Sequence, residues 1–256
     1  MIKLFAEERK EKIIKNLNKY NRVQVKELSN EFNVSEVTIR RDLGELEEGG
    51  YLLRTHGGAV SVSFSKSYEP SFEDKADKFK EAKREIGYKA SQLIKEGDTI
   101  LIDAGTTTLQ IVGKLKNINK LTLVTNSFDI FNEVKQLGRE IEVVFIGGTY
   151  KYNTRAFVGS LAEKTLKELR VDKAFLGSNG FTISDGFTTP DLTEASIKKV
   201  MIDIAQEVYM LVDHSKLGKV SFCKFAGLKD IDYFVTDQLD KQYITKIEEA
   251  GVEVIL

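Results

Sequence analysis

From residue 79 onwards, the sequence alternates between short, nearly continuous apolar segments and longer segments with helical spacing. The apolar segments have the length of buried β-strands, and helical segments of roughly 8–15 residues lie between most of them. Apolar strands joined by helices are typical of a parallel sheet that is covered on both faces. We therefore predict an α/β fold here, a three-layer α/β/α domain with a mainly parallel sheet. The predicted strands are residues 99–103, 121–126, 141–148, 173–180, 207–213, 233–237 and 252–256.

Residues 1–60 have a different pattern, in which apolar residues recur at helical spacing in short stretches. We predict one helix over about residues 5–19 and a second over about residues 24–32. A third helix is expected to begin after Ser35, because serine is a favourable N-cap. The apolar residues that define these helices are Ile13, Ile14, Leu17, Val25, Leu28, Phe32, Ile39, Leu43 and Leu46.

Glycines are expected to end this helical region and to shape the turn of a hairpin. Gly49 and Gly50 should stop the third helix. The segment "YLLRTHGGAV" then resembles two short strands around Gly57 and Gly58. The first sixty residues are thus predicted to form three helices and a hairpin.

The segment 61–78 loses both periods and contains one of the two prolines. We predict a linker there. The predicted organisation is a domain over residues 1–60, a linker over 61–78 and a second domain over 79–256.

Composition excludes several classes of protein. The chain has 256 residues, a formal net charge of −1 and a single cysteine, Cys223, so no disulfide forms within it. One cysteine and two histidines provide no ligand set for a transition metal, and no glycine-rich nucleotide motif is present, so no cofactor is expected. No apolar run reaches the roughly 18 residues of a membrane span, and the N-terminus is too charged for a secretory signal. We expect a cytoplasmic protein with no membrane partner.

The third helix has the polarity of a DNA-reading helix. With Ile39 at the centre of its buried face, Val37 and Arg41 point outward and the acidic residues collect at the C-terminal end. A recognition helix enters the major groove by its N-terminal residues, where arginine reads guanine or binds phosphate. An ordinary solvent-exposed helix remains the alternative. The predicted DNA-binding residues are Ser35, Val37, Thr38, Arg40 and Arg41, with Arg54 and His56 in the hairpin.

Small and polar residues come after several of the predicted strands, at the edge where parallel sheets bind ligands. The most informative group is Asp103-Ala104-Gly105-Thr106-Thr107-Thr108, where a strand ends and a helix begins. Helix N-termini suit phosphate, although a threonine that merely caps the helix would give the same pattern. Similar residues occur in three further turns and after a later strand, namely Thr125-Asn126-Ser127, Gly147-Gly148, Gly177-Ser178-Asn179 and Asp213-His214-Ser215-Lys216.

The stretch "VSEVTIRRDLGELEEGGYLLRTHGGA" resembles the winged helix-turn-helix signature of the DeoR family of bacterial sugar-catabolism repressors. The resemblance continues through "EGDTILIDAGTTT", "TNS", "GGTY" and "VDHSKLGK", and therefore covers nearly the whole chain. It implies a DNA-binding repressor whose larger domain is similar to sugar-phosphate isomerases and senses a phosphorylated sugar. The implied partners are double-stranded operator DNA, that sugar, and further copies of the chain in a dimer or tetramer.

The resemblance also brings separate motifs into one effector pocket. The motifs "G-T-T", "E-A-x-x-K" and "D-x-S-K-x-G" map to Gly105 to Thr107, to Glu194 with Lys198, and to Asp213 with Lys216 and Gly218. The i, i+4 spacing of Glu194 and Lys198 also fits a simple ion pair on a helix surface, and Lys216 could pair with Asp213 instead of binding an effector. The predicted effector-binding residues are Asp103, Gly105, Thr106, Thr107, Thr108, Thr125, Asn126, Gly147, Gly148, Arg155, Asp185, Glu194, Lys198, Asp213 and Lys216.

Two other functions fit parts of the sequence. A sugar-phosphate isomerase with an accessory domain could use the carboxylates of Asp103, Asp185, Glu194 or Asp213, although a metabolic isomerase needs no such accessory domain. A protein-interaction module would leave the arginines of the third helix without a purpose. A nucleophilic pair of Cys223 and His214 is not expected, since a lone cysteine among aromatic residues is usually packed in a core. We expect no catalytic residues.

Overall fold

The computed structural model describes residues 5–49, 51–61, 66, 69–118, 120–137 and 141–256. Contacts divide the chain into two compact units, Met1–Asp74 and Lys75–Leu256. No helix within these ranges is long and apolar enough to cross a membrane.

The first unit contains the predicted helices and hairpin, together with two elements that the sequence did not predict. Short β1 pairs antiparallel with β3, which also pairs with β2, and α4 lies inside the predicted linker. Gly50, half of the expected helix stop, lies outside the described residues. The elements are α1 (Ala6–Tyr20), β1 (Arg22–Gln24), α2 (Val25–Phe32), α3 (Glu36–Glu48), β2 (Leu52–Thr55), β3 (Gly58–Ser61) and α4 (Phe72–Ala76), which begins in the first unit and ends in the second.

The predicted apolar faces of the three helices form the core of the first unit. Ile13 and Leu17 of α1 pack with Val25, Leu28 and Phe32 of α2. Ile14 lies at the edge of this core and is only partly buried. The α3 residues Ile39, Leu43 and Leu46 are at most 4% exposed.

The second unit alternates strands and helices. Its helices are α5 (Lys80–Ser91), α6 (Phe128–Gln136), α7 (Ser160–Lys167), α8 (Leu192–Asp203) and α9 (Lys241–Glu249), with 3₁₀ helices at Thr108–Asn117, His214–Lys216 and Leu228–Asp230. Its strands are β4 (Thr99–Ile102), β5 (Thr122–Thr125), β6 (Glu142–Phe145), β7 (Thr149–Lys151), β8 (Ala156–Val158), β9 (Val171–Gly177), β10 (Gly180–Thr182), β11 (Gly186–Thr189), β12 (Ala205–Leu211), β13 (Cys223–Ala226), β14 (Tyr233–Val235) and β15 (Glu253–Ile255).

The predicted parallel sheet is confirmed. Within the described ranges, seven strands lie in the order β15-β14-β12-β9-β4-β5-β6, and each neighbouring pair is parallel. Alternate residues of a strand point to opposite faces. Ile100 and Ile102 therefore pack with α5 and the 3₁₀ helix Thr108–Asn117, whereas Leu101 packs with α7 and α8. This arrangement is the predicted three-layer α/β/α architecture.

Two smaller sheets were not predicted. Strands β10, β11 and β13 form an antiparallel sheet, and β7 pairs with β8. Cys223 begins β13 and is buried, as its apolar and aromatic sequence context suggested.

Candidate functional site

Helix α3 begins at a side-chain cap. Ser35 accepts a hydrogen bond from the backbone N–H of Thr38 at 3.2 Å, and their hydroxyl oxygens are 2.9 Å apart. The cap satisfies a donor of the first turn that has no partner inside the helix. Val37 is 76% exposed, because Ile39 and Leu43 turn the apolar face of the helix into the core.

Arg41 projects from the same exposed side. Its side chain is 82% exposed, and its Nε donates to the Glu45 carboxylate at 3.2 Å. Lys10 also contacts Glu45, at 2.6 Å. The Lys10 ammonium, and to a lesser extent the Arg41 guanidinium, lower the pKa of the Glu45 carboxyl. An exposed pair of this kind contributes little stability, so Arg41 can leave Glu45 for another anion at small cost.

The hairpin lies beside α3. Arg40 donates from Nη1 to the backbone carbonyl of His56 at 3.0 Å. Nη1 of Arg54 lies next to Gly44 of the helix, where a side chain would come within 3.6 Å. These contacts bring Arg54 and His56 of the hairpin next to α3. Together with the predicted residues at the start of that helix they define what we call the α3 surface: Ser35, Val37, Thr38, Arg40, Arg41, Arg54 and His56.

The second unit has a cleft at the carboxyl ends of β4 and β9. The cleft and the open solvent at its mouth together occupy about 660 Å³. Eight of the predicted effector-binding residues line it: Asp103, Gly105, Thr106, Thr107, Asn126, Glu194, Lys198 and Lys216.

A buried ion pair lies against this cleft. The Lys198 ammonium contacts the Asp103 carboxylate and donates to the carbonyl of Gly177 at 3.0 Å. Burial raises the pKa of the Asp103 carboxyl, and the charge of Lys198 offsets part of that effect. Lys198 also lies 5.3 Å from the ring centroid of Phe225, which supplies a further cation–π contact. These contacts hold the Lys198 head group in place beside the cleft.

Glu194 lies one turn before Lys198 on α8. Both residues are 6% exposed, so the alternative interpretation, an ion pair on the helix surface, is wrong. The Glu194 carboxylate accepts a hydrogen bond from the Thr189 hydroxyl at 3.2 Å, and its backbone N–H donates to Asp191, the N-cap of α8. The fold therefore buries both charged groups of the "E-A-x-x-K" motif against the cleft.

Comparison with known proteins identifies the family. Residues 9–64 match the DeoR-like helix-turn-helix domain, and residues 78–238 match the DeoR C-terminal sensor domain. The chain belongs to the DeoR family. An uncharacterised HTH-type transcriptional regulator FruR of Bacillus subtilis is 38% identical to it, over 98% of this chain and 99% of that protein. The lactose phosphotransferase system repressor of Staphylococcus epidermidis is also 38% identical, over 97% and 98% of the two chains.

The relatives also decide between the functions that the sequence left open. They are named as transcriptional regulators and repressors, so this DeoR-family protein is a regulator and not an enzyme. Among solved structures, ribose 5-phosphate isomerase A from Methanocaldococcus jannaschii is 22% identical, with a TM-score of 0.40 over 54% of each chain.

Seven predicted effector-binding residues of the DeoR-family regulator lie outside the described lining of the cleft. The buried hydroxyls of Thr108 and Thr125 donate to backbone carbonyls, so they hold turns together. Arg155 contacts Asp129 at 3.1 Å. The Asp185 carboxylate accepts hydrogen bonds from the hydroxyls of Thr182 and Ser184 in the β10–β11 turn, and Asp213 caps the 3₁₀ helix His214–Lys216. Gly147 and Gly148 are exposed, and Gly148 lies close to the Val158 carbonyl.

Sequence reasoning missed three polar residues of the cleft, namely Lys75, Lys83 and Thr154. Lys75 fell in the predicted linker. The Thr154 hydroxyl is buried and has no hydrogen-bond partner among the described residues. Lys83 did carry a signal, because it precedes Ile86 and Ala90 at the spacing of the buried face of α5. A lysine at a core position of an amphipathic helix is unusual enough to mark a site.

The described residues contain no group of histidine, cysteine and carboxylate side chains that could hold a metal ion.

Proposed function

We propose that this protein represses a sugar-catabolism operon and is controlled by a phosphorylated sugar bound in the cleft of the second unit. In this proposal residues 1–60 read operator DNA. Residues 61–78 link the two domains and contribute Lys75 to the cleft, and residues 79–256 form the rest of the sugar sensor. The observation that carries the proposal is the convergence of lysines 75, 83 and 216 with the turn Gly105–Thr107 in one cleft.

The cleft has the chemistry that a phosphorylated sugar requires. Its lysines supply positive charge, and the turn Gly105–Thr107 supplies backbone N–H groups and hydroxyls at the start of a 3₁₀ helix. The buried Thr154 hydroxyl lacks a partner in the described structure, and a buried polar group of this kind is costly unless something bonds to it. A bound sugar hydroxyl or phosphate oxygen would supply that bond.

The α3 surface has the chemistry of a major-groove reader. Arg41 is exposed at the N-terminal half of the helix and is suited to a guanine edge or a phosphate. Val37 is suited to a thymine methyl group, and Arg54 and His56 are suited to the DNA backbone or the minor groove. We expect a dimer or tetramer, because one such module buries too little surface for tight operator binding. Since its target is operator DNA, we expect it to act in the cytoplasm.

Two substitutions test whether reading and sensing are separate. Arg41→Ala should weaken binding to operator DNA by about 1–3 kcal/mol and leave sugar binding unchanged. Thr107→Ala should weaken sugar binding and leave operator affinity without sugar unchanged. DNA from upstream of the operon that encodes this protein serves as the operator probe in gel-shift titrations. A thermal-shift panel of phosphorylated sugars reports the effector, since a ligand at 100 times its Kd stabilises by about 2.7 kcal/mol.

Matched controls remove the same chemical groups elsewhere. Arg84→Ala deletes another exposed arginine with a nearby glutamate, and Thr245→Ala deletes an exposed helical hydroxyl. Neither should change either activity. The proposal fails if Arg41→Ala and Thr107→Ala impair both activities equally in folded protein, or if no phosphorylated sugar shifts the melting temperature.

A further inference from the structure

Lys83 joins the cleft to the segment that precedes α5. Its side chain lines the cleft, and the residue is only 4% exposed. Its ammonium donates to the backbone carbonyls of Lys75 and of Lys78, the latter at 2.8 Å. Both acceptors belong to residues 75–79, which we call the pre-α5 segment; the second unit begins there.

The surroundings of Lys83 leave its charge poorly compensated. Its described hydrogen bonds go to neutral carbonyls, and burial lowers its pKa to about 8. Nearby charges act in both directions, since Asp213 and Asp77 favour the ammonium form and Lys216 and Lys75 oppose it. A buried ammonium in this environment gains most from an anion placed on the cleft side.

A second contact fixes the end of the pre-α5 segment. Phe79 has a φ of 54°, the left-handed conformation that is uncommon outside glycine. Its ring packs edge-on against the His214 imidazole, with centroids 5.0 Å apart. His214 Nδ1 lies 2.6 Å from the Asp237 carboxylate, and His214 is two residues from Lys216 of the cleft. One end of the pre-α5 segment is therefore held by Lys83, which lines the cleft, and the other end by His214, which is close in sequence to the lining residue Lys216.

We propose that Lys83 is a positioning residue that transmits occupancy of the cleft to the pre-α5 segment. An ammonium has three N–H donors, and the carbonyls of Lys75 and Lys78 use two of them. The third donates to an anionic group of the ligand. The same head group then holds the ligand and the start of the second unit, so a bound anion restrains the pre-α5 segment. This inference rests on the proposed function, because it requires an anion in the cleft.

Hydrogen exchange of the full-length protein tests the inference, with inorganic phosphate as the probe and sodium chloride at equal ionic strength as the reference. Phosphate should slow amide exchange in peptides that cover residues 75–82 by about tenfold, the factor expected when one charge-assisted hydrogen bond restrains the segment. In Lys83→Met, which keeps the apolar stem, exchange should be faster without phosphate and should not slow when phosphate is added.

Lys89→Met is the matched control. Lys89 also lies on α5 and also donates to a backbone carbonyl, that of Thr236, but it lies outside the described lining of the cleft. Its removal should leave exchange over residues 75–82 and the phosphate effect unchanged. Lys83→Arg, which retains several N–H donors, is the second variant if Lys83→Met does not fold, and it should retain phosphate protection.

The outcomes separate the inference from the proposed function. Phosphate could raise the melting temperature of the unmodified protein but leave exchange over residues 75–82 unchanged. In that case Lys83 does not transmit occupancy, while the proposal that a phosphorylated sugar binds in the cleft is retained. Protection by phosphate that persists in Lys83→Met also overturns the inference. If neither phosphate nor any phosphorylated sugar raises the melting temperature, both proposals fail.

Discussion

The Arg9–Asp42 pair shows what a single residue contributes to the reading unit. Arg9 of α1 contacts Asp42 of α3 through two hydrogen bonds, at 2.8 and 3.0 Å, and both side chains are less than 10% exposed. The pair joins the first helix to the helix that carries the α3 surface. Asp42 looks like an ordinary polar residue in the sequence, because nothing local shows that Arg9 will cover it.

At the residue scale, Asp42→Asn should destabilise the first unit by about 3–5 kcal/mol, because it removes the negative charge that the buried Arg9 guanidinium contacts. Urea denaturation followed by circular dichroism measures the change. Glu7→Gln is the control, since it removes the exposed Lys10–Glu7 pair of the same helix and should cost about 0–1 kcal/mol. If both substitutions lowered the free energy of unfolding equally, burial of the Arg9–Asp42 pair would not explain its contribution to stability.

The hairpin depends on an element that the sequence did not reveal. Strand β1 has only three residues and lies directly against β3. A side chain on Gly58 would overlap the carbonyl oxygen of Val23 and come within 2.9 Å of the Gln24 Cα. Gly57 has open space around the same position. Glycine is therefore required at residue 58 by the close approach of another strand.

At the element scale, Gly58→Ala should destabilise the first unit by about 1–3 kcal/mol, because the added methyl group forces β1 and β3 apart. It should also weaken operator binding, since the hairpin presents Arg54 and His56. Gly57→Ala, one residue away, should change stability by less than about 0.5 kcal/mol. Thermal unfolding of both variants measures the difference, and similar losses would contradict the predicted role of β1.

The whole molecule carries two units with separate cores and a net charge of only −1. Any affinity for DNA must then come from a local surface, because the overall charge attracts no polyanion. The α3 surface concentrates Arg40, Arg41 and Arg54. Each phosphate contact made by such a residue should appear in the salt dependence of binding.

At the scale of the whole molecule, Arg54→Ala should reduce the slope of log operator affinity against log salt concentration by about 0.9 for each bound copy. The physical reason is that one phosphate per copy is no longer neutralised, so fewer counterions are released. Fluorescence anisotropy at several salt concentrations measures the slope. Arg84→Ala should leave the slope unchanged, and an unchanged slope in Arg54→Ala would show that Arg54 does not contact a phosphate.

Local periodicity predicted the parallel sheet and the core helices. Apolar runs such as residues 99–103 and 207–213 became buried strands, because a strand covered on both faces must be apolar along its length. The cleft was partly predictable for a related reason, since the carboxyl ends of parallel strands meet at one edge. Thus Asp103 and the turn after it line the cleft.

What the sequence by itself determined is most of the apolar core, because apolar residues that are buried in helices and strands leave a repeating pattern along the chain. Only the tertiary structure decided which buried residues meet. The pairing of Arg9 with Asp42, the strand beside Gly58 and the approach of Lys83 to the cleft all join residues whose local patterns are independent. The pairing of β11 with β13 likewise joins segments that are far apart in the sequence, so no local pattern shows it.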